Sequence, residues 1–458
     1  MPKNVREWGL VGGFFVMAAL FAVVVPPYEA PDEEHHLAYI NYVATRGALP
    51  NQLREGRTVI GEGHQYPLYY LLAGGLVRAI HPGDAIRVDQ VPNPKHALTP
   101  GGSSYNVPSF RHDGVGMFPH TSDRFAFYFL RFLSALLGAA TVWFIYRLGA
   151  MFIPDPAGRW LGVCWAAANP QFLYSAASIS NDALANALAA AAAYVLFKSV
   201  NGAVSSFSTR QAACLGAVLG AGALAKKSSL SLVAAAGVVL LGRCVFGRPR
   251  PNLRRFGVFL IVVASVFIAV SGWVFLRNHR LYGDWLGTGM EKTTLGVLGL
   301  VQEKSLLSEY FFTEFPRRLA IYFFGVFGLW ALYLPLAVYL YHGLVIASAA
   351  GGIFMRLKKA RFFDVRIFAP AAVLLMQVAG VGYYNLTYTQ PQGRLLFPAL
   401  GPMAVLVGSG LAALIARVAP PCVRRAAVAT LIAAFVLLAI LALFRVHDFY
   451  SDPSSYAG

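Results

Sequence analysis

Ionisable side chains crowd the end of the first long apolar run of this 458-residue chain. The run extends from Gly9 to Val25, and positions 26–36 read PPYEAPDEEHH, with four carboxylates and two imidazoles. Charge at the edge of a membrane-length apolar segment is costly unless it has a function. We therefore expect this acidic cluster to do chemistry, and the rest of the chain to position it.

Asp32 is the member of the cluster best placed for acid–base chemistry. Because Pro31 disfavours helix at the residue before it, a helix is predicted to begin with Asp32 as its N-cap, with His35 and His36 stacked over it on one face. The helix dipole keeps such a carboxylate ionised, which suits a group that accepts a proton from an alcohol. Glu33 lies beside it as a second candidate. The alternative is that Asp32 only caps the helix while the glutamates face water.

A second acidic candidate, Asp182, lies in the segment SISNDAL at positions 178–184. It opens an Ala-rich helix, so helix capping is again the alternative. The membrane topology that the basic loops predict places Asp182 on the same side of the membrane as Asp32. Two carboxylates from separate elements can then face one pocket.

The acidic cluster could hold a metal ion in either of two kinds of site. A zinc site from Asp32, His35 and His36 is disfavoured, because adjacent residues on a helix point about 100° apart. A divalent metal such as Mg²⁺ or Mn²⁺, held by carboxylates together with a substrate phosphate, fits the residue types better. The metal and its ligands stay open at this point.

Basic residues at predicted outer helix ends form the third feature. Each one alone is typical of a snorkelling residue at the membrane interface. Together they could bind a phosphate or pyrophosphate at the membrane surface, with arginine suited to bidentate contacts. They imply a lipid-phosphate substrate, and the residues are Arg131, Lys226, Lys227, Arg277, Arg280 and Arg394.

Composition identifies the class of protein. The chain is 57% hydrophobic and 13% charged, which is typical of an all-α polytopic membrane protein. Its net charge of +17 resides mostly in short loops, so it indicates membrane orientation and contact with lipid head groups rather than nucleic-acid binding. Crossing the membrane takes roughly 20 apolar residues, which predicts about eleven spans. They lie near 9–27, 125–150, 157–174, 182–198, 211–226, 229–246, 256–276, 322–348, 367–386, 395–416 and 425–445.

Basic residues recur in every second loop, which predicts a cytoplasmic N-terminus. The loops 28–124 and 277–321 are then outside, within a single transmembrane domain that covers residues 1–458. In the first loop, positions 37–45 predict a short helix that ends at Gly47, and positions 65–72 (QYPLYYLL) are suited to an interfacial helix. Residues 82–124 are expected to form an ordered or substrate-ordered loop.

The order of these motifs resembles the GT-C superfamily of integral-membrane glycosyltransferases. Within it, the chain is similar to a bacterial family related to the protein O-mannosyltransferases and the lipid A aminoarabinose transferases. The matching segments cover nearly the whole chain. They are APDEEHH at 30–36, YPLYY at 66–70, SNDAL at 180–184, AKKSS at 225–229, LRN at 276–278, YGD at 282–284 and QGRLLFP at 392–398.

The resemblance implies an enzyme of the bacterial inner membrane with a periplasmic active site. Its donor would be a polyprenyl-phosphate sugar and its acceptor a hydroxyl of a glycan, lipid or protein. Asp32, with Glu33 beside it, would act as catalytic base in a single inverting displacement, and Asp182 would be the second acid. Substrate contacts would come from His35, His36 and Tyr69, and phosphate contacts from Lys226, Lys227, Arg131, Arg277 and Arg394.

Three other functions remain open at this stage. A transporter or flippase of lipid-linked saccharides would also use intramembrane charge, but it ought to show paired repeats, and none are seen. A polymerase of lipid-linked repeat units is a close enzymatic variant. A structural or assembly protein would leave the acidic cluster and the outer cations without a function.

Overall fold

The computed structural model describes residues 3–89, 91–93, 108–111, 121–201, 207–247, 250–297, 299–359, 364–418 and 420–452, and these are mostly α-helical. In chain order the helices are α1 (Lys3–Val24), α2 (Glu33–Arg46), α3 (Gln52–Glu55), α4 (Leu68–Ile80), α5 (Ser122–Phe152), α6 (Pro156–Ala167), α7 (Pro170–Ala176), α8 (Asn181–Asn201), α9 (Thr209–Ala225), α10 (Leu230–Phe246), α11 (Leu253–Tyr282), α12 (Thr288–Val297), α13 (Glu309–Phe312), α14 (Glu314–Phe324), α15 (Leu336–Lys359), α16 (Val365–Asn385), α17 (Leu400–Val418) and α18 (Pro421–Ser451). Two 3₁₀ helices, Lys227–Ser229 and Gly393–Ala399, lead into α10 and α17.

Two short antiparallel hairpins complete the described secondary structure. The strands β1 (Val91–Pro92) and β2 (Phe110–Arg111) pair between α4 and α5, and β3 (Val326–Phe327) and β4 (Leu332–Tyr333) pair between α14 and α15. With so little sheet and so many long apolar helices, the predicted all-α membrane class is confirmed.

Nine helical segments in the described ranges are long and apolar enough to cross a membrane. They correspond to nine of the eleven predicted spans. The predicted span 157–174 is divided into α6 and α7, because Pro170 has no N–H to continue the helix and the Asn169 side chain accepts a hydrogen bond from Phe172 N–H at 3.0 Å. The predicted span 211–226 corresponds to α9, a 17-residue helix that packs against α8 and α11.

The predicted span 322–348 begins later than expected, at Leu336. The chain leaves α14 at Gly325 and forms the β3–β4 hairpin before it enters the membrane-length helix α15. Pro335, directly before α15, is favourable at a helix start. The sequence-based boundary was wrong because the apolar residues of this hairpin read as part of one continuous apolar run.

The predicted first outer loop contains the expected short helices. Helix α2 ends at Arg46 and is followed by Gly47, as predicted. Helix α4 packs against α2, with the rings of Tyr39 and Tyr70 stacked at 3.8 Å. Most of the predicted loop 82–124 lies outside the described residues. In the second outer loop, α14 buries Phe315, Leu319 and Phe323 on one face, which is the period of an amphipathic helix.

Helix α8 lies in the middle of the bundle and packs against α5, α9, α10, α16 and α17. Alanine makes up much of its length, so neighbouring helices can approach closely. The start of α8, the end of α9, the start of α2 and the 3₁₀ helix Gly393–Ala399 meet at one end of the bundle. We call this end the site end.

Candidate active site

Four predicted site residues meet at the site end of the bundle. Arg394 Nη2 donates to Asp32 Oδ2 at 2.5 Å, and Arg394 Nη1 lies 3.7 Å from Asp182 Oδ2. Lys226 Nζ forms an ion pair with Asp182 Oδ1. We call these four residues the charge cluster. It joins two carboxylates and two cations from four separate elements, so the structure brings Asp32 and Asp182 together, and their service of one substrate pocket stays a prediction.

Asp32 takes the N-cap position of α2, but its side chain does not cap the helix. Its backbone is left-handed, with φ 63° and ψ 4°, a conformation in which a non-glycine residue costs of order 1–3 kcal/mol. The prediction that the carboxylate would bond to the free N–H groups of the helix is therefore wrong. The unusual backbone directs the carboxylate to Arg394, and 41% of the Asp32 side chain remains exposed.

The ion pair with Arg394 makes Asp32 a weak base in this state. Desolvation, the largest single effect, raises its pKa, but the charge and hydrogen bond of Arg394, together with the nearby histidines, lower the pKa of Asp32 to about 2. The carboxylate is therefore ionised across the physiological range. Its basicity depends on where the guanidinium is.

Arg394 is positioned by the residues directly before it. Gln392 Oε1 accepts a hydrogen bond from Arg394 Nε at 2.6 Å. Gly393 packs against the end of α14, and a Cβ at this position would lie 2.0 Å from the backbone nitrogen of Phe323. Only glycine fits there, which explains the Gln-Gly-Arg order of the motif.

Asp182 lies in the first turn of α8, where helix capping was the alternative. The hydroxyl of Ser180 accepts the hydrogen bond from Asp182 N–H at 3.1 Å and so acts as the cap. The Asp182 carboxylate is turned to Lys226, which directly follows the end of α9. Capping therefore does not account for this carboxylate.

His36 joins three of the segments that surround the charge cluster. Its Nδ1 lies 2.8 Å from the hydroxyl of Tyr70, and its Nε2 lies 3.4 Å from Ser180 Oγ, so it connects α2 with α4 and the start of α8. Burial lowers the pKa of His36 to about 4, which keeps the ring neutral. Tyr69 is buried edge-on to Tyr70, at 5.5 Å between ring centroids. His35 packs beside Gly61, whose φ of +78° belongs to the tight turn before α4.

Glu33 and Arg131 form a separate buried pair. Both side chains are 0% exposed, and two hydrogen bonds of 2.6 and 2.9 Å join them. Glu33 also accepts from the backbone N–H groups of Tyr28 and Ile179 at 3.0 Å, and Arg131 donates to the carbonyl of Ala22 at 2.7 Å. The pair ties the end of α1 to α2, α5 and the segment before α8. Neither residue is accessible from the charge cluster's open side.

Two predicted phosphate ligands lie elsewhere at the site end. Lys227 forms an ion pair with Glu291 of α12 instead of joining Lys226 at Asp182. Arg277 donates to the carbonyl of Pro50 at 2.5 Å and so holds the first outer loop against α11. The charge cluster therefore contains Lys226 and Arg394 but neither Lys227 nor Arg277.

Glu62 is a site residue that the sequence reasoning missed. Its carboxyl interacts electrostatically with Asp32, Lys226 and Arg394 of the charge cluster, and burial followed by the negative charge of Asp32 raises its pKa to about 8. The available signal was its position between Gly61 and Gly63, four residues before the Tyr-Pro-Leu-Tyr-Tyr motif.

The described residues do not favour the predicted divalent metal. Among them, no three His, Cys, Asp or Glu side chains lie close enough together to hold a metal ion. Asp32 and Asp182 already have cationic partners in Arg394 and Lys226. The residues therefore do not fit a metal in this arrangement, and Mg²⁺ or Mn²⁺ binding stays a prediction.

Comparison with known proteins gives no match at the level of sequence. No protein-family model matches the chain, and no curated protein matches it. Solved structures do match. ArnT from Cupriavidus metallidurans in the apo state superposes over 98% of this chain with a TM-score of 0.56 and 10% sequence identity. The chain has the GT-C fold.

Two further GT-C proteins match over nearly the whole length. The mycobacterial arabinofuranosyltransferase AftD gives a TM-score of 0.51 at 16% identity over 99% of this chain. The archaeal oligosaccharyltransferase AglB from Archaeoglobus fulgidus, in complex with an inhibitory peptide and a dolichol-phosphate, gives 0.50 at 14% identity over 100%. The chain spans 78% of ArnT, 27% of AftD and 56% of AglB. These likenesses establish a multi-pass membrane protein with the GT-C fold.

Proposed function

We propose that this chain is a membrane glycosyltransferase that moves a sugar from a polyprenyl-phosphate-linked donor to a hydroxyl acceptor. The observation that carries the proposal is the charge cluster, in which two carboxylates and two cations from distant parts of the chain meet at one end of a GT-C bundle. The carboxylates supply acid–base chemistry and the cations supply phosphate binding. The solved structure of AglB, which has a similar fold, is a complex with an inhibitory peptide and a dolichol-phosphate.

The proposed reaction is a single inverting displacement. The acceptor oxygen forms a bond to the anomeric carbon, and the bond from that carbon to the donor's phosphate oxygen breaks. Asp32 accepts the proton of the acceptor hydroxyl, and the lipid phosphate leaves with the electron pair of the broken bond. Lys226 and Arg394 stabilise the charge of the departing phosphate.

Donor binding is proposed to activate Asp32. A phosphate that binds at Arg394 competes with Asp32 for the guanidinium, and this weakens the contact that lowers the pKa of the carboxylate. Asp32 therefore becomes more basic when the donor is present. Asp182 takes the second acidic role, in which it holds Lys226 in position until the phosphate arrives.

The remaining predicted residues take supporting roles in this proposal. Glu33 and Arg131 fix the start of α2 from inside the bundle, and His36 holds α2 against α4 and α8. The acceptor is a hydroxyl of a cell-envelope glycan, a lipid or a protein. The site is proposed to face the periplasm of a bacterial inner membrane, as the distribution of basic loops predicts.

Release of polyprenyl phosphate tests the function directly. The purified full-length protein is supplied in detergent with a panel of polyprenyl-phosphate sugars, with and without hydroxyl acceptors. Acceptor-dependent release by the wild type is expected, and Arg394→Ala should abolish it. Arg57→Ala is the matched control, because Arg57 is exposed in the same outer loop. Translocation of a lipid-linked saccharide in vesicles without any release would overturn the proposal in favour of a transporter.

A further inference from the structure

Glu62 lies in a well-defined turn between α3 and α4. Its backbone N–H donates to the carbonyl of Ile60, and its own carbonyl accepts from Gln65 N–H, both at 2.9 Å. Gly61 packs against the ring of His35, which a Cβ would approach at 3.6 Å. The turn therefore packs against the first turn of α2, the helix that directly follows Asp32.

One oxygen of the Glu62 carboxyl is buried without a partner. Gln65, whose backbone N–H bonds to the Glu62 carbonyl, accepts a hydrogen bond at Oε1 from Asn181 Nδ2, 3.4 Å away at the start of α8. Glu62 Oε2 is shielded from solvent and has no hydrogen-bond partner in the described part of the chain. A buried oxygen without a partner costs about 1–3 kcal/mol, so its retention at a candidate active site points to a ligand.

The charge of Glu62 acts on the phenol groups of Tyr39, Tyr70 and Tyr384. Charged groups from three parts of the site act in turn on the Glu62 carboxyl, at the start of α2, after the end of α9 and in the 3₁₀ helix before α17. They are Asp32, Lys226 and Arg394. Two of these, Lys226 and Arg394, are the proposed phosphate ligands.

The protonation state decides what Glu62 can do. With a pKa of about 8, raised by burial and by the charge of Asp32, the carboxyl is mostly neutral at pH 7 and carries a hydroxyl hydrogen. A neutral acid can donate a hydrogen bond to an anion, whereas an ionised carboxylate would repel it.

We propose that Glu62 is a further substrate-contacting residue, which donates a hydrogen bond from Oε2 to a phosphate oxygen of the lipid-linked donor at Lys226 and Arg394. This inference rests on the proposed function and assigns a third ligand to the same phosphate. Glu62 keeps its proton throughout the reaction, so Asp32 remains the only proposed base.

Binding of a short-chain polyprenyl phosphate to the purified full-length protein tests the assignment. At pH 7, Glu62→Ala should bind about tenfold more weakly, as expected for a lost hydrogen bond to a charged group. Glu62→Gln retains an N–H donor and should remain within about threefold of wild type. Wild-type binding should weaken as the pH rises through about 8, and Glu62→Gln should show no such loss. Glu34→Gln, an exposed neighbour of the site, is the matched control.

Several outcomes would overturn the inference. Among them are wild-type affinity in Glu62→Ala, equal losses in Glu62→Gln and Glu62→Ala, and no alkaline loss of binding in the wild type. If Glu62→Ala does not fold, the pH series of wild type and Glu62→Gln decides. Binding of inorganic phosphate with the same Glu62 dependence, but no binding of polyprenyl phosphate, would also overturn it. Failure of the wild type to release lipid phosphate from any donor contradicts the proposed function, whereas wild-type turnover that is insensitive to Glu62 contradicts only this assignment.

Discussion

Asp32 and Glu33 are neighbours in the chain, and each contacts an arginine, but their surroundings differ. The side chain of Asp32 is 41% exposed and has one short contact, with Arg394. Glu33 is 0% exposed and accepts hydrogen bonds from Arg131 and from two backbone N–H groups. A fully satisfied buried pair has nothing left to offer a substrate, whereas the Asp32–Arg394 pair can exchange partners. Similar charges therefore hold the fold together at Glu33, and we propose that they serve chemistry at Asp32.

Removing one partner of the buried pair should give the largest effect on stability. Glu33→Ala leaves the Arg131 guanidinium buried without its carboxylate, which typically costs 3–5 kcal/mol. We expect a marked fall in the thermal midpoint of the detergent-solubilised protein. Glu34→Ala, at the exposed next position, should leave the midpoint near that of wild type. Equal midpoints for the two variants would show that the Glu33–Arg131 pair does not support the fold.

The pH dependence of stability should show that His36, like Glu33, serves the fold. Its pKa is lowered by burial to about 4, although Asp32 and Asp182 raise it while Lys226 and Arg394 lower it. The unfolded chain binds this proton more readily, so stability is complete above pH 6.5 and falls as the pH drops from about 6.5 to about 4. The loss is at most about 3 kcal/mol.

Thermal midpoints of wild type and His36→Gln across this pH window test the prediction. His36→Gln should lose less stability on acidification, because it has no ring to protonate. Parallel pH profiles for the two proteins would contradict a neutral, buried His36.

Replacing either arginine by lysine should have different effects in the two regions, on donor binding at Arg394 and on stability at Arg131. Lysine cannot reproduce the forked contacts of arginine. Arg394→Lys should keep the wild-type midpoint and weaken polyprenyl-phosphate binding about tenfold, since one hydrogen bond to a charged group is lost. Arg131→Lys should lower the midpoint. If Arg394→Lys also destabilised the fold while donor binding stayed intact, the assignment of Arg394 to the phosphate would fail.

The fold and four of the site residues could be predicted because topology determines them. Long apolar runs identify membrane helices, and Asp32, Asp182, Lys226 and Arg394 each lie at a helix end on the same predicted side. Such ends must come together once the helices pack. The errors at 157–174 and 322–348 arose where Pro170 or the β3–β4 hairpin interrupts an apolar run.

The division of labour inside the acidic cluster could not be predicted. Glu33 is directed inward and Asp32 toward the open side because Asp32 adopts a left-handed backbone, and no pattern in the sequence shows this. Glu62 was missed for a related reason. It lies in a turn without periodicity, and its proximity to Asp32 exists only after α2 and α4 have packed.

The transfer rate of Asp32→Asn, measured on protein with a verified thermal midpoint, decides whether Asp32 is the catalytic base. A fall of about 10²–10⁴-fold is expected, the usual contribution of general acid–base catalysis, with a midpoint close to that of wild type. Asparagine still accepts a hydrogen bond from Arg394 but cannot take a proton from the acceptor. Sugar transfer at the wild-type rate by well-folded Asp32→Asn would contradict the account.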